Sequence, residues 1–247
     1  MQLQIFENAD QAAQALARRI AAVLRSDPDV VLGLPTGRSP VAAYAELRRM
    51  HAAGRVDFSR ASTFNLDEFA GIAADHPGSF RRFMEEHLFR GVNVDRDRVH
   101  FLDGAAADFD AECERYEAAI DAAGGIGLQI LGIGANGHIG FNEPGEALAA
   151  RTHRVTLHEV TRRENAALFG GDADSVPREA LSMGMATILR ARRIVLIATG
   201  ERKAGCVERA TRGPLTTRLP ASFLQTHRDV ELFLDRAAAA LLTNGRT

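Results

Sequence analysis

The chain has 247 residues, of which 46% are hydrophobic and 25% charged, and 30 basic against 32 acidic side chains give a formal net charge of −2 at pH 7. This balance argues against a dedicated nucleic-acid-binding protein, which usually carries a basic excess, and no apolar run approaches the ~20 residues of a membrane span. The N-terminus lacks the basic and apolar regions of a secretory signal, and two cysteines are too few for a disulfide framework, so we expect a cytoplasmic globular protein.

Short apolar runs rich in β-branched residues alternate along the chain with longer amphipathic segments. The runs predict strands over residues 3–6, 30–34, 63–66, 99–102, 128–133, 194–199 and 230–234. The segments between them predict helices over residues 9–25, 41–53, 79–89, 107–122, 178–190, 202–210 and 235–242. This order predicts one α/β domain over residues 1–247, with a doubly wound, mostly parallel, Rossmann-like sheet and helices on both of its faces.

The stretch over residues 144–177 interrupts the alternation. It is polar, contains the string GGDADS, and has the length of a flap. We therefore expect a mobile insertion, or lid, within the single domain.

Four polar segments each follow a predicted strand. They are PTGRSP over 35–40, NLDEF over 65–69, GIGANGHIGFNEPG over 132–145 and TGERKA over 199–204. Ligands of doubly wound sheets bind outside the carboxyl ends of the strands. The four segments therefore predict one binding site on a common edge of the sheet.

The segment PTGRSP joins a strand to the start of a helix, where backbone N–H groups favour anions. The residues that can present N–H groups and hydroxyls there are Thr36, Gly37, Arg38 and Ser39. The alternative is an ordinary capping turn, in which Ser39 is the N-cap and Pro40 lies in the first turn of the helix.

The segment TGERKA repeats this arrangement, since a glycine and then Arg202 and Lys203 follow a strand and open a helix. A solvated basic pair is the alternative interpretation. Two such turns on one edge of the sheet favour a phosphorylated ligand.

Two further segments carry groups suited to proton transfer. In NLDEF, Asp67 and Glu68 stand at a strand end, and an aspartate with its ordinary pKa of ~3.9 is ionised and able to act as a base at neutral pH. In GIGANGHIGFNEPG, Asn136, His138 and Glu143 are crowded among glycines, and a carboxylate that orients an imidazole improves it as a proton shuttle. The alternatives are that Asp67 and Glu68 only form a turn, and that His138 is a buried structural histidine.

The strings LGLPTGRSP, FNLDEF, LGIGANGHIGFNEPG, SVPREALSMGMATIL and GERKA, in this order and spacing, resemble those of the glucosamine-6-phosphate deaminase family. The likeness extends over residues 31–234. It implies that glucosamine 6-phosphate and water are converted into fructose 6-phosphate and ammonia. It also implies a small amino sugar phosphate as the binding partner, no nucleic-acid or membrane partner, and neither a metal nor an organic cofactor.

The resemblance also implies roles for individual residues. Asp67 matches the base that moves a proton between C2 and C1 of the opened sugar, and His138 matches the group that assists ring opening, with Glu143 as its orienting partner. Asn136 matches a position occupied by Asp or Asn in the family. The positions that match the phosphate site are Thr36, Gly37, Arg38, Ser39 and Lys203, and residues 144–177 match the lid.

The chain departs from the family pattern in two phosphate-binding positions. An arginine is common in the lid two residues after an asparagine, but here Asn165 is followed by Ala166 and Ala167. The phosphate loop commonly reads TGG, but here Gly37 is followed by Arg38. Our hypothesis is that Arg38 replaces the lid arginine, and the alternative is that it points to solvent while Lys203 and the backbone bind the phosphate.

Regulated members of the family place Ser, Ser, Arg and Lys where this chain has Glu146, Ala147, His153 and Val155. The change removes two cations that could hold an effector phosphate, and coupling between sites requires differential binding. We therefore expect hyperbolic saturation curves that an N-acetylated sugar phosphate does not alter.

Two other functions stay open on the sequence alone. One is a 6-phosphogluconolactonase-like hydrolase of the same fold, and the other is a sugar-phosphate-sensing domain without catalysis. The set of Asp67, His138 and Glu143 favours the deaminase over both. The preference between the glucosamine and galactosamine epimers, and the choice between a monomer and a homo-oligomer, are left undecided.

Overall fold

The structure is a computed structural model that describes residues 1–243. Its strands, in chain order, are β1 (Gln2–Phe6), β2 (Val31–Leu34), β3 (Ser62–Asn65), β4 (Asp67–Phe69), β5 (Val99–His100), β6 (Leu128–Leu131), β7 (His153–Thr156), β8 (Glu179–Ser182), β9 (Arg193–Ala198) and β10 (Val230–Asp235). The α-helices are α1 (Ala9–Ser26), α2 (Arg38–Ala52), α3 (Phe80–His87), α4 (Phe109–Ala122), α5 (Glu159–Asn165), α6 (Met185–Leu189), α7 (Ala204–Arg212) and α8 (Ala240–Thr243).

Seven parallel strands form the central sheet in the order β1-β10-β9-β6-β2-β3-β5. From β2 the chain moves outward through β3 to β5, and it then returns to the other side of β2 and continues through β6, β9 and β10. The predicted doubly wound parallel sheet is therefore confirmed. The direction of winding reverses between β2 and β6.

Helices cover both faces of this sheet and create two separate cores. Alternate residues of β9 enter different cores: Ile194 and Leu196 pack with α4, α6 and α7, whereas Val195 and Ile197 pack with α1 and α2. This arrangement explains why the strands are apolar at successive positions, since neither face meets water.

Side-chain caps fix the start of three helices close to the predicted positions. Asn8 accepts a hydrogen bond from the Gln11 N–H at 3.0 Å before α1, and Asp108 and Ser79 cap α4 and α3 in the same way. Such caps satisfy N–H groups that have no partner inside the helix.

A second, antiparallel sheet of three strands, β4-β8-β7, lies beside the central one. The predicted helix over 178–190 is wrong, because residues 179–182 form β8 and only Met185–Leu189 are α-helical. Ala180, Leu181 and Ser182 are buried between β4 and β7, and this pairing overrides the helical pattern. Gly184 separates the two elements, where a Cβ would lie 2.2 Å from the Arg151 carbonyl oxygen.

The predicted helix over 235–242 is also wrong at its start. Asp235 is the last residue of β10, and α8 begins at Ala240. The side chain of Asp235 accepts hydrogen bonds from the N–H groups of Gly200 and Ala238, which keeps it at the strand end. Among residues 1–243, no helix combines the length and the apolar character needed to cross a membrane.

The segment over 144–177 contains β7, α5 and two short 3-10 helices. At its start, Thr152 donates from its N–H and its hydroxyl to one carboxylate oxygen of the buried Glu117 on α4, at 2.8 and 2.6 Å. Further along, the Phe169 ring packs edge-on against Phe69 of β4, with 5.1 Å between the ring centroids. These contacts attach the segment to the rest of the molecule from two sides.

Candidate active site

The carboxyl ends of β2 and β6 lie side by side at the centre of the sheet, where the winding reverses. Doubly wound sheets bind ligands outside such a switch point. The segments 35–40 and 132–145 follow these two strands, and 65–69 and 199–204 follow their neighbours β3 and β9. All four segments thus lie along one edge of the sheet. We call the space outside the ends of β2 and β6 the crevice.

The loop after β2 ends in a glycine that the backbone requires. Gly37 has a φ of 87°, in the left-handed region that favours glycine, and it is the N-cap of α2. The alternative with Ser39 as the N-cap is wrong, since the helix begins at Arg38 and Ser39 lies in its first turn. The Tyr44 hydroxyl donates to the Pro35 carbonyl oxygen at 2.5 Å and ties the loop to α2.

Three side chains of this loop remain free to meet a ligand. Thr36 and Ser39 are half-buried, and Arg38 is exposed. Within residues 1–243 the Arg38 guanidinium has no hydrogen-bond or ion-pair partner. The structure therefore leaves this cation available beside the start of α2.

The loop after β9 has the same local geometry. Gly200 has a φ of 87°, and its N–H donates to the Asp235 carboxylate at 3.0 Å. The short 3-10 helix Glu201–Lys203 follows and leads into α7. Lys203 is half-buried, and its charge acts on the imidazole of His138. The second predicted anion loop is thus close to the histidine of the 132–145 segment.

Asp67 lies in β4 and is only 7% exposed. Burial, and to a smaller extent the negative charge of Glu68, raise the pKa of Asp67 to about 8. The expectation that Asp67 keeps its ordinary pKa is therefore wrong. Its charge acts in turn on two buried phenols, because it raises the pKa of Tyr44 and of Tyr116 after the larger effect of their own burial.

Glu68, the next residue, is buried as deeply but is held by four hydrogen bonds. Its carboxylate accepts from the N–H groups of Phe69, Phe80 and Arg81 and from the Ser79 hydroxyl, at 2.8–3.0 Å. Burial raises the pKa of Glu68, and these four donors act against that rise. Glu68 thus fixes β4 to the start of α3.

The loop after β6 brings His138 onto the backbone of Gly134. A Cβ at Gly134 would lie 2.2–2.5 Å from three atoms of the imidazole, so only glycine leaves room for the ring. The His138 carbonyl accepts from the Gly134 N–H at 3.0 Å and closes the loop. At Gly140 a Cβ would lie 3.6 Å from Oδ2 of Asp67, which places β4 directly beside this loop.

Glu143 and Asn136 surround the buried side of His138. The Asn136 amide donates to Oε2 of Glu143 at 2.9 Å, and its carbonyl oxygen accepts from the His138 N–H at 3.1 Å. Nδ1 of His138 lies 3.7 Å from Oε2 of Glu143, beyond hydrogen-bond length. Asn136 therefore bridges the carboxylate and the histidine backbone.

The imidazole of His138 is kept in its neutral form. Burial lowers the pKa of His138, and the Glu143 carboxylate acts in the opposite direction with a smaller effect. Nδ1 is buried and has no hydrogen-bond partner within the described residues. A neutral imidazole can accept a proton from a hydroxyl group and later return it.

The structure brings the sequence-predicted residues to one edge of the sheet as two walls. One wall is β4 with Asp67, and the other is the 132–145 loop with Asn136, His138 and Glu143. Among residues 1–243, no group of three or more His, Cys, Asp or Glu side chains is arranged to hold a metal ion.

Two residues near these walls were missed by the sequence analysis. His158 donates from its backbone N–H to Oε1 of Glu143 at 3.2 Å, across 15 residues of chain. The Ser182 hydroxyl accepts from the Phe141 N–H at 3.0 Å and packs beside Gly140. No local pattern marks either residue, because both contacts depend on how the 144–177 segment and β8 return to the 132–145 loop.

Comparisons with known proteins agree with this geometry. The family model for glucosamine-6-phosphate isomerases/6-phosphogluconolactonase matches residues 6–233. A glucosamine-6-phosphate deaminase of Halothermothrix orenii is 47% identical over 242 residues, which cover 98% of this chain and 100% of that protein. A solved structure of a monomeric glucosamine-6-phosphate deaminase has a TM-score of 0.94 at 41% identity, covering 98% of this chain and 100% of the other.

A 6-phosphogluconolactonase from Trypanosoma cruzi has a TM-score of 0.80 at 19% identity, covering 98% of this chain and 97% of that one, and so shares the fold alone. The fold, the loops at the switch point and the extent of these matches lead to one assignment. The chain belongs to the family of glucosamine-6-phosphate isomerases and 6-phosphogluconolactonases.

Proposed function

We propose that this protein converts glucosamine 6-phosphate and water into fructose 6-phosphate and ammonia. The observation that carries the proposal is that a buried carboxylate, Asp67, and a half-buried imidazole, His138, lie on two walls that approach each other at Gly140. Full-length relatives described as glucosamine-6-phosphate deaminases support this choice of substrate.

The reaction consists of proton transfers to which these groups are suited. Neutral His138 accepts the proton of the anomeric hydroxyl and returns one to the ring oxygen, which opens the sugar, while Glu143 orients the imidazole. Asp67 then takes the proton from C2 and delivers it to C1, while one proton of the C2 ammonium group passes to the C1 oxygen. The resulting C2 iminium adds water and releases ammonia, so that a ketose remains.

The raised pKa of Asp67 makes the substrate's own charge part of this mechanism. With a pKa of about 8, Asp67 is mostly protonated at pH 7 in the free protein. A protonated amino group on C2 would lie beside the carboxylate that attacks the C2 hydrogen. An opposite charge at such a distance lowers the pKa of a carboxyl group. An amino sugar phosphate therefore ionises its base on binding, whereas a sugar phosphate without an amino group does not.

The substrate phosphate is assigned to the two glycine turns on this edge of the sheet. The residues that would contact it are Thr36, Gly37, Arg38, Ser39 and Lys203. Backbone N–H groups at the start of α2 favour an anion there. We further assign residues 144–177 to a lid of the single domain, because they carry His158 to the edge of the crevice.

This chemistry requires no metal or organic cofactor, since each step is a proton transfer or the gain or loss of water and ammonia. Activity should therefore be the same with and without a strong chelator. A reducing, cytoplasmic location also belongs to the proposal, because Cys113 and Cys206 are both buried free thiols.

Ammonia release from glucosamine 6-phosphate tests the proposal. The wild-type protein should release ammonia and form fructose 6-phosphate in equal amounts, and it should not hydrolyse 6-phosphogluconolactone. The galactosamine epimer, run in parallel, establishes the stereochemical preference. Lactone hydrolysis without ammonia release, or binding of the sugar phosphate without turnover, would overturn the assignment.

A further inference from the structure

A second imidazole lies against the carboxylate that orients His138. Nδ1 of His158 is 3.6 Å from Oε2 of Glu143, the same oxygen that Nδ1 of His138 approaches to 3.7 Å. The backbone N–H of His158 donates to the other oxygen, Oε1, at 3.2 Å. Glu143 is therefore contacted from the crevice and from the lid at the same time.

The geometry leaves one position at Oε2 for two imidazoles. A carboxylate oxygen has two lone pairs, and the Asn136 amide occupies one of them at 2.9 Å. Both imidazole distances exceed the ~3.2 Å limit of an N–H···O bond. A small rotation of the Glu143 side chain toward one ring would complete that bond and lengthen the other.

His158 occupies a place from which the lid can influence this competition. It precedes α5 as its N-cap residue, but its side chain makes no capping hydrogen bond. The side chain is 50% exposed, whereas that of Glu143 is 5% exposed. The imidazole thus extends from the surface of the lid to a buried carboxylate and does not cap the helix that follows it.

We propose that His158 is a positioning residue, which competes with His138 for Oε2 of Glu143 and lets the position of α5 determine how closely Glu143 engages His138. The inference rests on the proposed function only for the roles of Glu143 and His138. While α5 is seated as described here, Glu143 is shared, and His138 keeps a free Nδ1. When α5 withdraws, Glu143 is released to His138.

Other charged groups also act on His138 and must be separated from His158. Glu164 faces it from α5 and Lys203 faces it from the start of α7, in addition to Glu143. Movement of α5 changes the distances from His138 to both His158 and Glu164, whose charges have opposite effects on the pKa of His138. Replacing His158 alone leaves Glu164 and Lys203 unchanged and isolates its contribution.

The test is an NMR titration of the His138 imidazole in the full-length protein without substrate. In His158→Ala, Glu143 is free to engage His138, and the carboxylate stabilises the imidazolium, so the His138 midpoint should rise by about one pH unit. His158→Gln keeps a neutral donor to Glu143 and should give a smaller rise. The resonance is identified by its loss in His138→Gln.

His153→Ala is the matched control, since His153 belongs to the same lid but its Nδ1 lies 3.1 Å from the Arg151 carbonyl oxygen rather than near Glu143. It should leave the His138 midpoint unchanged. A midpoint in folded His158→Ala and His158→Gln that coincides with the wild type would overturn the inference, as would an equal rise in His153→Ala. A shifted midpoint in a protein that releases no ammonia would contradict the proposed function and leave this inference intact.

Discussion

In the part of the chain that the structure describes, each wall of the crevice combines a proposed reactive group that lacks a hydrogen-bond partner with a carboxylate that accepts two or more hydrogen bonds. On the β4 wall, Asp67 accepts no side-chain hydrogen bond from residues 1–243, whereas Glu68 accepts four. On the loop wall, Nδ1 of His138 has no hydrogen-bond partner within the same residues, whereas Glu143 accepts from the Asn136 amide and from the backbone N–H of His158.

Burial acts on the two reactive groups in opposite directions. It is the main cause of the rise in the pKa of Asp67 to about 8 and of the lowered pKa of His138, so both groups are mainly neutral in the free protein at pH 7. For an imidazole the neutral form is already the proton acceptor, but for a carboxyl group it is not. In the proposed mechanism, His138 is therefore ready to react before substrate binds, whereas Asp67 depends on the substrate's positive charge.

The largest expected effect on kcat comes from a substitution in the β4 wall. Asp67→Asn removes the base but keeps the shape of the side chain, so we expect normal folding and a loss of roughly 10²- to 10⁴-fold in kcat. Asp75→Asn, which changes an exposed aspartate in the loop after β4, should leave kcat unchanged. Ammonia release measures both variants, and near-normal turnover by Asp67→Asn would exclude this residue as the base.

The loop wall can be disturbed without changing any reactive group. In Gly134→Ala the new methyl group would collide with the His138 ring, and a displacement of ~1 Å can cost about 10²-fold in rate. Gly132→Ala is the control, because a Cβ there meets no atom of residues 1–243 within 4 Å. If both variants kept the wild-type kcat, the position of His138 on Gly134 would have no role in turnover.

A change in the loop after β2, which is proposed to bind the phosphate, should alter substrate affinity more than it alters the proton transfers at either wall. Loss of one charge-assisted contact to a phosphate costs about 1.5–3 kcal/mol, and Arg38→Gly should therefore raise KM at least about tenfold with a smaller change in kcat. When Ala167→Arg is added to Arg38→Gly, it restores a cation in the lid and should lower KM again. Arg228→Gly, at the opposite end of β10, is the control. A KM that Arg38→Gly does not move would show that Lys203 and the backbone suffice.

The smallest expected effect is a shift along the pH axis. In the proposed mechanism the ionised form of Asp67 is the active one, so kcat/KM should fall as the pH drops through the pKa of about 8. Glu68→Gln removes a negative charge that raises this pKa, and the fall should occur at a pH lower by roughly one unit or less. Glu86→Gln, on the exposed side of α3, should not move it. An unmoved acid limb in Glu68→Gln would argue against coupling between the two carboxylates.

The sequence predicts the central sheet well and the small sheet poorly, for a physical reason. Each central strand is a local apolar run, so its type can be recognised without its partners. In contrast, β4 is a three-residue strand with two acidic residues, and β8 carries a pattern that also suits a helix. Both are strands because they pair with each other, and such pairing is set by contacts far apart in the sequence.

The same limit applies to the site. The positions of Asp67, Asn136, His138 and Glu143 beside the crevice follow from their place after the strands, and the sequence motifs are sufficient to find them. The pKa of Asp67 and the contact of His158 with Glu143 are not local properties, because they depend on burial by the small sheet and on how the 144–177 segment packs against the 132–145 loop. The roles assigned to these residues stay predictions.

The most direct measurement is the titration of the Asp67 side-chain carboxyl carbon by NMR, in the free protein and with an open-chain amino alditol 6-phosphate that cannot isomerise. We predict a midpoint near pH 8 in the free protein, because burial disfavours the carboxylate, and a lower midpoint with the ligand, because its ammonium group favours it. A midpoint near 4 in the free protein, or one that the ammonium ligand does not lower, would contradict a base that the substrate itself ionises.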